Sequence, residues 1–249
     1  MANTLEFYTP EFNRISTHIL GTGNQIEGVY YDGLYFWTVD SGTFLCEQFY
    51  ITQAGSAELV SSFDLSGIIP LDAGESVTSI DAITGDGLDL YIAYNIETTD
   101  GEFPPIVTET TVISKFDKKG NLLKDIYSYD SISFGFLHDM TWNGLNLFLT
   151  TDSASKYLFQ IDVATGKKIA TITTQQILSA IAWNGVNFYC FRDSALGQGN
   201  VMDYTGKFLA VAVPSGFASP PAMDFGTGHL NIDGAHDMFE GQWIVLAHR

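Results

Sequence analysis

One phrase recurs along this chain and governs what it can fold into. HDMTWNGLNLFLTTD, starting at His138, is matched by EGVYYDGLYFWTVD from Glu27, DAITGDGLDLYIAYN from Asp81, SAIAWNGVNFYCFRD from Ser179 and HDMFEGQWIVLAHR from His236. Each reads as a short apolar strand, a turn closed by glycine, and a second apolar-aromatic strand. The turn glycines are Gly33, Gly87, Gly144, Gly185 and Gly241. Asp-Gly and Asn-Gly are favoured hairpin centres because the turn demands positive φ, which glycine adopts without strain. After each turn, alternation places Leu34 with Phe36, and Leu145 with Leu147, on one packed face. Repetition at this spacing marks a fold built from stacked supersecondary units.

A second hairpin follows most of these phrases. VISKFDKKGNLLKDI turns at Asp117–Gly120, YLFQIDVATGKKIATI at Asp162–Gly166, and GNVMDYTGKFLAVAV at Asp203–Gly206. FLCEQFYITQAGSAELVSSFDL does the same with a looser turn near Ala54–Ser56. Each unit is then four short antiparallel strands, one blade of a β-propeller. The last phrase supplies only two strands, and the start of the chain supplies two more: TLEFYT and NRISTHIL flank a turn at Pro10–Asn13. The expected fold is therefore an all-β, five-bladed propeller whose last blade is closed by N-terminal strands, which covers the strand edges an open ring would expose. The expected blades span 27–65, 78–127, 137–173, 178–213 and, for the last, 235–249 together with 4–20. The stretches 95–110 and 214–234 are read as insertions. This pattern, with IDVATGKKIATI as an outer hairpin, resembles propellers of the NHL and lactonase-like type. The resemblance implies a fold; propellers of that kind host enzymes, lectins and scaffolds alike.

Charge narrows the partners. Asp and Glu number 29 against 11 Lys and Arg, a formal net charge of −18. Such a surface repels phosphate, so nucleic acid and anionic membrane are disfavoured, while cations and basic partners are favoured. No apolar run is long enough to span a bilayer. MANTLEFYTPEF has neither the basic nor the apolar region of a secretion signal, so a cytoplasmic protein, or one assembled into a larger particle such as a virion, is expected. Cys46 and Cys190 each lie inside an apolar strand-like run and read as small buried thiols rather than a disulfide or metal pair.

Chemistry is expected where the inner strands begin. Aligning the five phrases on their turns puts Glu27, Asp81, His138, Ser179 and His236 at the first position. Gly28, Ala82, Asp139, Ala180 and Asp237 follow at the second. The small residues suit strands crowding an axis. The polar ones would ring one mouth of the central channel, with Glu27, Asp81 and Ser179 facing a ligand. His138, Asp139, His236 and Asp237 could ligate a divalent cation: zinc or manganese through imidazole and carboxylate, calcium through carboxylates and water. The same residues could instead form a polar lock between blades, since a buried histidine commonly gives one ring nitrogen to a carboxylate or carbonyl. No complete catalytic motif is present: no G-x-S-x-G elbow, no phosphate-binding loop. The tryptophans at 37, 142, 183 and 243 read as inter-blade packing, whereas the tyrosine-rich VYYDGLYF and DIYSYD are expected at the surface, suited to protein or glycan contacts. The leading functional expectation is a non-enzymatic recognition or assembly module. The alternatives are a metal-dependent hydrolase or lactonase at the channel mouth, and a carbohydrate-binding propeller.

Overall fold

A computed structural model describes residues 2–22, 25–52, 55–101, 106–152, 156–192, 199–212, 222–231 and 238–248. The described strands form five four-stranded antiparallel sheets. The first two strands, β1 (Ala2–Tyr8) and β2 (Arg14–Thr22), belong to the last blade. Blade one holds β3 (Ile26–Tyr31), β4 (Phe36–Asp40), β5 (Leu45–Ile51) and β6 (Ala57–Asp64). Blade two holds β7 (Glu75–Gly85), β8 (Asp89–Thr99), β9 (Val107–Asp117) and β10 (Leu122–Asp130). A single helical turn, α1 (Ser131–Phe134), leads to blade three: β11 (Leu137–Trp142), β12 (Asn146–Thr151), β13 (Tyr157–Asp162) and β14 (Lys167–Thr173). Blade four is β15 (Leu178–Trp183), β16 (Phe188–Arg192), β17 (Gly199–Met202) and β18 (Phe208–Ala212). It is followed by β19 (Ala222–Asn231) and β20 (Met238–His248). The fifth sheet has the order β19-β20-β1-β2, so both ends of the chain build one blade. Its seam is the β1–β20 ladder, running from Thr4↔His248 to Tyr8↔Ile244.

Four inner hairpins are built alike. Asp32, Asp86, Asn143 and Asn184 each open the turn, and one side-chain oxygen accepts the N–H groups two and three residues on, at 2.7–3.0 Å. Asp and Asn at this place satisfy turn donors that no strand can reach. The next residue, Gly33, Gly87, Gly144 or Gly185, sits at φ near +90° to +100° (99°, 89°, 94° and 95°), where a side chain would strain the backbone. The outer turns at Asp117, Asp162 and Asp203 use the same device, with Asp Oδ1 accepting a backbone N–H at 2.8–2.9 Å.

The last blade corrects the reading of the final phrase. Its inner strand is β19, inside the stretch taken as an insertion, and the HDMFEGQW phrase runs into β20, the second strand. Gly241 lies within that strand opposite Gly228 and closes no turn. The phrase matched because β20 carries the same apolar alternation as an inner hairpin arm. His236 and Asp237 lie outside the described residues. The stretch 95–110 lies between the second and third strands of blade two and lengthens their hairpin, with Asn95↔Thr111 through Thr99↔Val107 paired.

Five buried clusters occupy the five blade interfaces. Phe7, Trp243 and Val245 meet Val29, Phe36 and Phe49 between blades five and one. Trp37 and Cys46 meet Ile83, Ile92 and Phe116 between one and two. Tyr91 and Ile113 meet Met140 and Leu149 between two and three; Phe148 and Leu158 meet Ile181 and Phe188 between three and four. Ala180 and Phe191 meet Tyr8, Phe12 and Leu246 between four and five. Cohesion between blades is thus apolar burial on both faces of each sheet. Cys46 and Cys190 are buried and form no disulfide, Trp37 and Trp243 are buried, and Trp142 stacks on Tyr91 of the neighbouring blade at 5.5 Å. Two tyrosines expected at the surface, Tyr30 and Tyr129, are instead buried, because their strands put them on inter-blade faces.

The tight axis explains the small residues at the second inner-strand position. A Cβ on Gly28 would stand 2.7 Å from the backbone nitrogen of Ile83 and 2.7 Å from Val39 Cγ2. Gly28→Ala should therefore cost about 1–3 kcal/mol. For a chain of this size, Tm falls by roughly 2–4 °C for each kcal/mol. A thermal melt checks this; an unchanged Tm would mean that blades one and two do not approach this closely.

Candidate functional site

Four of the five residues expected at the channel mouth share one backbone device. The ladder of each inner strand slips between Ile26 and Gly28, Ile80 and Ala82, Leu137 and Asp139, and Leu178 and Ala180. The residues skipped are Glu27, Asp81, His138 and Ser179. A bulge leaves its extra residue out of the ladder and re-aims the side chain, which is why such irregularities recur beside sites. β19 pairs with β20 without a slip from Ala222 to Asn231, so four such positions are found among the described residues.

Below this ring the channel is pinned by Asp139. Its carboxylate is fully buried and takes three backbone N–H groups. Met140 donates to Oδ1 at 2.8 Å, while Ile181 and Met223 donate to Oδ2 at 2.9 and 3.2 Å. One side chain therefore ties the inner strands of blades three, four and five. The neighbours at its level, Gly28, Ala82, Ala180 and Ala222, are small enough to admit it. Burial pushes the Asp139 carboxyl well above its ordinary range; the three N–H donors oppose this and the charge of Asp224 adds to it. Asp224, which sequence reasoning missed, continues the stitching: its Oδ2 accepts the Tyr31 N–H at 2.6 Å, joining blade five to blade one. Burial raises its carboxyl to about 7. The residue is invisible as a candidate in the sequence because its strand lies within 214–234, the stretch that reads as an insertion.

Asp81 is the half-buried carboxyl of the mouth. Asn95 Nδ2 donates to it at 2.7 Å and to Ser79 Oγ at 2.9 Å; Asn95 Oδ1 accepts from Thr111 at 2.6 Å and from Ser131 at 3.3 Å. This polar row crosses blade two and fixes the carboxyl from behind. Burial, then the charges of Glu27 and Glu109, raises Asp81 to about 7, against the hydrogen bonds from Ser79 and Asn95. Glu27 accepts from Ser41 Oγ at 3.4 Å. His138 is half-buried with Nδ1 shielded from water, and Ser179 is buried. The structure thus couples Glu27 to Asp81 electrostatically and turns Asp139 away beneath them. Among the described residues no three His, Cys, Asp or Glu side chains converge to hold a metal ion.

The opposite face has a different character. Leu34, Leu88, Leu145 and Val186 stand 54%, 80%, 71% and 71% exposed. All four occupy the place after glycine in the Asx-Gly turn. Leu34 and Leu145 were expected to pack beside Phe36 and Leu147, but strands resume only at Phe36 and Asn146, so the aliphatic residue belongs to the turn and points outward. The acids beside these tips are neutralised internally. Asp32 takes Lys118 Nζ at 2.6 Å and Trp37 Nε1 at 3.0 Å; Lys115 bridges Asp86 and Asp89 at 3.2 and 2.8 Å. Burial opposes ionisation of Asp32 and Asp86, yet these lysine and N–H contacts outweigh it and hold both carboxyls below their ordinary value.

No known family and no curated protein matches the sequence. Among solved structures, the chain resembles the glutaminyl cyclase of Myxococcus xanthus, with TM-score 0.54 and 12% identity over 97% of this chain and 93% of that one. It also resembles a Bacteroides caccae protein of unknown function (TM-score 0.47, 10% identity, 85% and 73% covered) and Raptor of Chaetomium thermophilum (TM-score 0.48, 12% identity, 98% and 26% covered). At these identities the likeness is one of fold: the chain is a five-bladed β-propeller. Among the described residues no helix is long and apolar enough to cross a membrane.

The raised carboxyls carry a signed pH dependence. A carboxyl whose folded value exceeds its unfolded one favours folding below the unfolded value, and loses that contribution as pH rises through the folded value. For Asp224 the window runs from about 4 to about 7. Asp224→Asn keeps an acceptor for Tyr31 without a proton to lose. Its stability relative to the native chain, read from Tm, should therefore rise from pH 5 to about pH 7 and level off above that, by an amount on the order of a few kcal/mol at most. Parallel melting curves for the two proteins across that range would contradict the assignment.

Proposed function

We propose that the protein is a non-enzymatic recognition or assembly module, and that its binding face is the ring of inner hairpin tips. The observation that carries this reading is the repeated exposure of Leu34, Leu88, Leu145 and Val186. The turn needs Asx and Gly; it does not need an aliphatic side chain directed into water. Four of them recur at equivalent turn places on one face of the ring, and we call this set the crown; apolar surface gathered on one face is what a partner would cover. Lys118 and Lys115 lower the cost of covering the crown, because Asp32 and Asp86 are already paired inside the chain. Away from the crown the charge of −18 discourages contact with acidic surfaces and favours a neutral or basic protein partner. The hydrolase reading at the opposite mouth has against it the engagement of both Asp139 oxygens with backbone N–H groups.

Quantitative affinity capture from the producing cells tests the proposal. Replacing Leu34, Leu88, Leu145 and Val186 by Ser should reduce recovery of the partner at least tenfold, about 1.4 kcal/mol of binding. The fold should survive, because none of the four packs in a core. Glu27→Gln, at the other face, should leave recovery unchanged. Equal capture by the crown variant and the native chain would contradict the reading.

A further inference from the structure

Blade two is longer than the blade beside it: β8 has 11 residues and β4 has 5. Asp40 and Tyr94 stand at the same distance from their turn glycines, Gly33 and Gly87, and β4 ends at Asp40. Ile96 and Thr98 therefore lie beyond the reach of β4. Ile92 and Tyr94 belong to the core between blades one and two, and Ile96 and Val112 pack against it. Alternation keeps Thr98 on that same face of the sheet. Strand pairing adds Thr110 opposite Ile96 and Ser128 opposite Val112. A groove of about 450 Å³ follows these residues, and no residue of blade one is among those that line it. Its volume is that of a small-molecule site, about 300–1,000 Å³.

A carboxylate stands at each end of the groove. Glu75 is the ladder partner of Thr98; its Oε2 accepts the Asp72 N–H at 2.8 Å and its Oε1 the Thr98 hydroxyl at 3.5 Å. Asp125 is the ladder partner of Ser114, whose hydroxyl donates to Asp125 Oδ1 at 2.6 Å, and the Tyr94 hydroxyl meets Ser114 Oγ at 2.8 Å. These neutral partners orient both carboxylates without cancelling their charge. Among the described residues neither acid is paired with a lysine or arginine, and none lines the groove. Thr98 pairs with Thr108, so the register separates Glu75 from Asp125 by six residues along β9 and by three strand spacings. At about 3.3 Å per residue and about 4.8 Å per strand, their Cα atoms are roughly 20–25 Å apart. That span rules out one shared metal ion, since a hard cation needs its oxygens at about 2.3–2.6 Å. Between the acids lie the apolar Ile96 and Val112 and the hydroxyls of Thr98, Thr110 and Ser128.

We propose that this groove binds a linear aliphatic polyamine, with one ammonium at Glu75, another at Asp125 and the methylene chain lying along Ile96 and Val112. Ammonium groups only donate hydrogen bonds, and the carboxylates and hydroxyls of the groove supply acceptors. Methylene stems settle on apolar surface while their charged ends stay in water, as lysine side chains do. The net charge of −18 draws any polycation toward the chain. Two acids held far apart across an apolar floor add selectivity for a long one, because a short diamine reaches only one of them. The site shares no residue with the crown or the channel mouth.

Calorimetric titration with spermine, putrescine and magnesium chloride at one fixed ionic strength tests this. Spermine should bind saturably with one equivalent, and putrescine, too short to span the acids, should bind roughly tenfold or more weakly. A strongly acidic chain attracts polyamines without a site, so the variants decide. Glu75→Gln and Asp125→Asn each keep a hydrogen-bond acceptor and remove one charge, and each should weaken spermine binding by roughly tenfold or more. Glu11→Gln removes the same charge from the exposed turn between β1 and β2 and should bind spermine as the native chain does. If Asp125→Asn fails to fold, Glu75→Gln carries the comparison. The proposal is overturned if spermine shows no saturable binding, or if putrescine or magnesium binds as tightly. It is overturned equally if a folded groove variant keeps the native affinity, or if Glu11→Gln loses as much as the groove variants.

Discussion

The antiparallel pairing of β1 with β20 holds the toroid shut, and most other features of the molecule presuppose it. A propeller blade is stable because both of its faces are covered, so a ring lacking one closure loses two inter-blade clusters, not one ladder. Here the seam places Leu5 and Phe7 beside Val245 and Ala247 in a single core with Val29 and Phe36 of blade one. On its other side Tyr8 and Leu246 join the core shared with blade four. The hydrogen-bonded seam and the apolar interfaces are therefore one cooperative unit.

Closure also brings the inner strands into the register on which the axis depends. Asp139 reaches backbone donors on β15 and β19, and Asp224 reaches one on β3, only because blade five sits between blades four and one. Acidic side chains would be a poor choice for a dry axis if they met only each other. They are tolerated because oriented N–H groups of the strands face them, and because a raised carboxyl can hold its proton near neutral pH. The two faces of the ring then divide. One mouth is lined by bulged polar residues over a pinned channel, and the other presents aliphatic tips whose neighbouring acids are already paired.

Much of this architecture is legible from a few residues. The Asx-Gly pairs at 32–33, 86–87, 143–144 and 184–185 announce hairpins because their chemistry is local: side-chain oxygen to turn N–H, then positive φ. The bulged positions at Glu27, Asp81, His138 and Ser179 were identifiable as the polar interruptions before each apolar run. What failed depended on register, which alternation alone cannot set. β20 and an inner hairpin arm share the same alternation, so the last phrase reads one strand too early and β19 reads as part of an insertion. With that strand went Asp224. Leu34 and Leu145 were assigned to packed faces because nothing in a one-dimensional pattern distinguishes the last turn residue from the first strand residue. The groove between Glu75 and Asp125 is out of reach altogether, since it depends on how far blade two outruns blade one in three dimensions.

Native-state hydrogen exchange reads the seam most directly. If both ends of the chain complete one blade, the ladder amides of Leu5 to Tyr8 should exchange through the same opening as those of Ile244 to Ala247, as slowly as the central strand β12. Exchange of the β1 amides at near-unfolded rates while β20 and β12 remain protected would show that the first strand does not close the ring.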